Sequence, residues 1–88
     1  MIQPDDMSWF QVASAYEKLG KIEEAISAYE KVISLNSNYD LAWFNLGGIY
    51  WNLGNLAKAS EIWKQAIKRF PDHELTALLY RDIPNALK

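Results

Sequence analysis

The side chains that could do chemistry are few, and their spacing suits little of it. His73 is the one histidine, set between Asp72 and Glu74. Histidine and carboxylates are donors of the zinc type. Adjacent residues do not share a helix face, so this triplet suits a surface capping turn better than a metal site. Ser8, Ser14, Ser27, Ser34 and Ser60 carry hydroxyls. A nucleophilic serine needs a histidine base that a third group orients, and His73 stands in no such relation to any of them. Glu23 and Glu24 lie side by side on a solvated helix face, a weak arrangement for general acid and base work. Gly47-Gly48 has neither the Lys-Ser/Thr that closes a phosphate loop nor a strand before it. With no cysteine, a thiolate metal site and a disulfide are both excluded. No active site, metal or cofactor is read from this sequence, and it is expected not to be an enzyme.

Charge narrows the partners further. The chain has 88 residues, a net charge of −2 and a pI near 5.2, against the basic patch that a nucleic-acid binder shows. The charge is unevenly spread. Residues 1–44 hold seven acids and three bases, a net −4, and residues 45–88 hold four acids and six bases, a net +2. Lys64, Lys68 and Arg69 form the one local basic cluster. On a late helical turn they answer the helix dipole. No stretch is apolar over the length that crosses a bilayer. "MIQPDDMSW" lacks a basic region followed by an apolar run, so the expectation is a cytoplasmic protein without membrane insertion. Half the residues are apolar, the composition of a folded domain, and this length allows one small core.

The elements follow from an internal repeat. Shifted by 34 residues, Asp6 meets Asp40, Trp9 meets Trp43, Phe10 meets Phe44 and Tyr16 meets Tyr50. Leu19 with Leu53, Gly20 with Gly54, Ala25 with Ala59 and Ile33 with Ile67 complete eight identities without a gap. Conservative pairs lie between them: Val12 with Leu46, Ala13 with Gly47, Tyr29 with Trp63. Each copy reads as two helices. Trp9, Val12, Ala13, Tyr16 and Leu19 keep helical spacing, with Asp5 or Asp6 as the cap and Pro4 just outside. Gly20 ends that helix because glycine accepts a left-handed backbone. The next begins near Ile22 with Ala25, Ile26, Tyr29, Val32 and Ile33 on its apolar face, and "NSN" at 36–38 breaks it. The second copy predicts helices from about Asp40 to Leu53 and from Leu56 to Phe70, the latter stopped before Pro71. Asp72 is then placed to cap a fifth helix with Leu75, Leu78 and Leu79 on its inner side, and Pro84 to break or kink it. Short loops make successive helices antiparallel neighbours. A close hairpin needs small residues at its contact. Ala13 or Gly47 and Ala25 or Ala59 supply them, while Trp43, Tyr50 and Trp63 fill the space between hairpins.

These residues resemble the tetratricopeptide repeat (TPR) family, whose 34-residue signature carries W-x₂-L-G-x₂-Y, then an alanine, an aromatic and a proline. Trp43, Leu46, Gly47, Tyr50, Gly54, Ala59, Trp63, Ala66 and Pro71 fill it in the second copy. The first copy departs from it: Val12, Ala13 and Val32 replace leucine, glycine and alanine, and Ser37 stands at the proline. The resemblance implies an all-α, right-handed α-solenoid of antiparallel helix hairpins, two TPR hairpins plus a capping helix, five helices in all. The organisation would be an N-terminal extension at 1–5, repeats at 6–39 and 40–73, and a capping helix and tail at 74–88. A third repeat fails, since Arg81 and Pro84 fall where Gly47 and Tyr50 would recur. Stable arrays generally want about three units. The chain is thus a minimal array, a fragment, or a subunit that buries an open end against a neighbour.

In TPR proteins the first helices of successive repeats line a concave groove for peptides or helices. Carried over, this implies Met7, Phe10, Ser14 and Glu17 from the first repeat. It adds Leu41, Phe44, Asn45, Gly48, Trp51 and Asn52 from the second, with Leu75 and Leu78 from the cap. Some members clamp a chaperone's C-terminal carboxylate with lysines, asparagines and an arginine. Asn45 alone matches that clamp. Phe10, Ser14, Leu75 and Leu79 take the other places, which speaks against chaperone tails. The resemblance therefore implies a non-catalytic interaction module with an apolar groove for an amphipathic or apolar protein or peptide partner. The alternatives are a spacer, a self-associating homo-oligomer joined through its open ends, or the recruiting arm of a larger enzyme such as a glycosyltransferase or kinase.

Overall fold

The computed structural model describes residues 5–88. Pro4 and most of the expected extension at 1–5 lie outside the described residues. Five α-helices follow one another: α1 (Asp6–Lys18), α2 (Ile22–Leu35), α3 (Asp40–Asn52), α4 (Leu56–Arg69) and α5 (Glu74–Asp82), then a 3-10 turn over Pro84–Leu87. There is no strand among the described residues. The chain divides into two compact units, Met1–Ala42 and Trp43–Lys88, the division falling in the first turn of α3.

In the first unit α1 packs against α2. Asp5 is the cap of α1. Its carboxylate accepts the Ser8 N–H at 2.8 Å, and that bond, with one from the Ser8 hydroxyl, holds the Asp5 carboxyl below its usual range. Asp6 serves differently, accepting from the Asn36 amide at 2.9 Å and so fastening the start of α1 to the end of α2. The α1–α2 turn closes as a left-handed glycine cap: Gly20 has φ +77°. Its N–H donates to Glu17 O at 3.1 Å, and Lys21 N–H to Tyr16 O at 2.9 Å. These two bonds satisfy carbonyls that a helix end otherwise orphans. Ala13, Ala25, Ala28, Tyr29 and Val32 are the buried centre. The apolar spacing of α1 overstated its burial. Ala13 is its one buried residue, and Leu19 is 70% exposed. Tyr39, ahead of α3, stacks on Phe10 at 4.9 Å. Burial, then the charges of Asp6, Asp40 and Asp5, raise its phenol above the ordinary value.

In the second unit the same turn recurs. Gly54 has φ +82°, with Gly54 N–H to Trp51 O at 3.0 Å and Asn55 N–H to Tyr50 O at 2.9 Å. Asn55 then caps α4, accepting from Lys58 N–H at 3.2 Å. Trp43, Phe44, Leu46, Ile49, Ala59, Ile62, Trp63 and Ala66 form the buried centre. Phe70 leaves helical geometry before Pro71 (φ −129°, ψ 62°), as the ring of the following proline demands. The cap of α5 is His73 and not Asp72: its Nδ1 accepts the Leu75 N–H at 3.0 Å. The helix begins one residue later than an Asp72 cap would set it, which leaves Asp72 in the turn. Thr76 is buried, and its hydroxyl donates to Phe70 O at 2.8 Å, satisfying a C-terminal carbonyl of α4. Pro84 takes the first position of the 3-10 turn, where a missing N–H costs nothing.

Candidate functional site

Trp63 organises the second unit. A Cβ on Gly47 would lie 2.4 Å from its indole, so α3 approaches α4 closely enough that the backbone itself faces the ring. Trp63 Nε1–H donates to Phe44 O at 3.0 Å, and Trp51 packs on the ring at 5.4 Å between centroids. The indole was expected between hairpins. It lies in the contact of α3 with α4, because Gly47 leaves it that space.

The same side chain helps to line a cleft of about 190 Å³ with Phe44, Asn45, Leu75, Leu78 and Leu79. Residues from α3, α4 and α5 thus converge. Phe44 is itself buried, 4.8 Å from the His73 ring and 6.3 Å from Phe70. It forms the rigid floor of the cleft, with Asn45 the one polar member of the lining. Small-molecule sites run to roughly 300–1,000 Å³, so this cleft has room for one anchoring side chain of a larger partner.

Four of the implied groove residues, Phe44, Asn45, Leu75 and Leu78, therefore meet in one cleft. Trp63 and Leu79 join them. Trp63 was read as framework between hairpins, and no signal in the sequence assigned it to the cleft. The others lie elsewhere. On α3, Gly48 has open space where a side chain would be. Trp51 is half-buried beneath its contact with Trp63, and Asn52 is exposed. In the first unit Met7 and Leu41 are exposed and Ser14 is half-buried. Phe10 packs edge-on to Tyr29 at 5.6 Å as well as on Tyr39. Glu17 accepts the Tyr29 hydroxyl at 2.8 Å.

The family model described as "TPR repeat" matches residues 13–54, and that described as "Tetratricopeptide repeat" matches residues 40–73. This chain belongs to the tetratricopeptide repeat family. The TPR chain is 46% identical over 39 residues to the TPR repeat-containing protein MJ0941 of Methanocaldococcus jannaschii, a match that covers 43% of this chain and 12% of that protein. Its fold is similar to the crystal structure of MamA, with a TM-score of 0.75 and 25% identity over 96% of this chain and 50% of that one. The TPR chain thus spans only part of the length of either relative. The helices, the paired glycine turns and the Gly47–Trp63 contact are the TPR hairpin built from this sequence. Among the described residues, no group of three or more His, Asp or Glu is placed to hold a metal ion. None of the helices among those residues is long and apolar enough to cross a membrane.

Proposed function

We propose that this TPR chain is a non-catalytic interaction module that takes an apolar or amphipathic segment of a protein partner. One observation carries the reading: the Phe44–Trp63–Leu78 cleft, an apolar socket with a single amide at its wall. A buried aromatic floor with half-buried leucine walls fits the anchor-in-pocket pattern by which a few side chains supply most binding energy. The Asn45 amide is suited to a backbone group beside that anchor. Met7, Phe10, Ser14 and Leu41 of the first unit, and Gly48, Trp51 and Asn52 of the second, are proposed as further partner contacts.

The test is an ¹⁵N-HSQC titration with an amphipathic helical peptide selected on this chain by display. Expected are shifts centred on Asn45, Leu75 and Leu78, and binding lost in Leu78→Lys while the far-UV CD spectrum is kept. Leu78 is only half-buried, so the variant tests the cleft and not the fold. Undiminished binding by Leu78→Lys would sink the proposal.

A further inference from the structure

The first unit carries a second and larger hollow, about 680 Å³, between α1 and α2. Trp9 and Tyr16 of α1 form one wall, two turns apart. Glu24, Ala28 and Lys31 run along the other on one stripe of α2. The equivalent tryptophan of the second repeat, Trp43, is buried and has the Arg69 guanidinium over its ring at 4.9 Å. The residue at the place of Arg69 in the first repeat is Leu35, so that repeat supplies no cation there. Trp9 lines the hollow with Glu23 and Glu24 as well as Lys31, and an aromatic face beside carboxylates attracts a further cation from outside.

The second unit presents a matching exposed stripe. Gln65, Lys68 and Arg69 border an open hollow on α4, and Glu61 lies on the same exposed face. The two stripes have the same length and the same order of charge. Glu24 and Lys31 are seven residues apart, and so are Glu61 and Lys68, about 10.5 Å along a helix at 1.5 Å per residue. Laid antiparallel, Lys68 meets Glu24, Gln65 meets the small Ala28, and Glu61 meets Lys31. We infer that the occupant of the Trp9–Tyr16 hollow is α4 of a second copy of this chain, docked antiparallel on α2. The acidic half of one molecule then meets the basic half of the next. The contact joins unlike surfaces, so it propagates into an open chain or closes into a ring. It uses a face apart from the Phe44–Leu78 cleft, so either proposal can fail alone.

Sedimentation velocity over a wide concentration series at 50 mM and 500 mM salt tests this. The native chain should associate as concentration rises, and less so at the higher salt, where exposed charges are screened. Glu24→Lys with Lys31→Glu should weaken association about tenfold or more, by setting like charges opposite each other. Glu61→Lys with Lys68→Glu should do the same. All four changes in one chain should restore it, with net charge constant throughout and CD confirming the helices. An α2-on-α2 dimer would survive the first pair of changes, since an inverted stripe still complements itself, and that result overturns the assignment. A native chain that stays monomeric at every concentration, or a quadruple variant that does not recover, overturns it as well.

Discussion

In the first repeat Ala13 and Tyr29 are both buried, and the tyrosine hydroxyl donates to Glu17. In the second, Gly47 faces Trp63, the indole donates to a backbone carbonyl, and Trp51 stands where Glu17 stood. The positions are equivalent under the 34-residue shift, and the chemistry is different. A tyrosine leaves room for a methyl opposite it and sends its polar tip outward to a carboxylate. A tryptophan takes the methyl's space and turns its N–H onto the neighbouring helix, so the place one turn on can be apolar. The small residue, the aromatic and the residue after them act as one unit. A repeat signature that records them separately hides this.

Exchanging parts between the repeats breaks or sharpens that comparison. Trp63→Ala should cost the most, about 3–5 kcal/mol in urea denaturation, through the cavity left among Gly47, Trp51 and Phe44. A loss below about 1 kcal/mol would show that the indole is not central. Gly47→Ala comes next. Alanine gains about 1 kcal/mol of helix propensity, but its Cβ would sit 2.4 Å from a ring pinned by a hydrogen bond. Overpacking should win, with a net loss of roughly 1–3 kcal/mol. Adding Trp63→Tyr, which copies the first repeat, should return part of it. A double variant no better than the sum of its parts refutes the pairing. Gly20→Ala and Gly54→Ala should each cost about 1 kcal/mol, and nearly the same amount, because both glycines have positive φ and open surroundings. Unequal losses would show that the two turns differ beyond their backbone. The smallest effect concerns Asp5. Its carboxyl is held low by Ser8, so the cap is fully present above the ordinary carboxylate range and is lost as pH falls through the folded value. Protection of the Ser8 amide, relative to its intrinsic exchange rate at each pH, should fall on that acid side in the native chain, and in Asp5→Ala it should lack that transition.

Much of the fold was legible because it is written in local terms. Gly20, Gly54 and Pro71 are punctuation, and the helices end within a residue or two of where they point. Less legible was anything decided by competition among neighbours. Asp72 and His73 both have acceptors near the start of α5, and the register of a single residue chose between them. Three leucines marked the inner face of that helix, yet the buried place went to Thr76, whose hydroxyl could satisfy the Phe70 carbonyl. Four of the residues lining the cleft could be named from the repeat. Trp63 could not be assigned to it, because it serves both the contact with Gly47 and the cleft, and spacing alone does not show a double role.

That double role has a consequence for measurement. Trp63 both closes the core against Gly47 and lines the cleft. A side chain entering the cleft therefore rests on a ring whose displacement would open the helix pair behind it. Occupancy and unfolding become linked quantities, and a ligand at one hundred times its dissociation constant should add about 2.7 kcal/mol to the free energy of unfolding. The same ring is a fluorophore, so in a chain whose other three tryptophans are replaced by phenylalanine its emission would report on both at once.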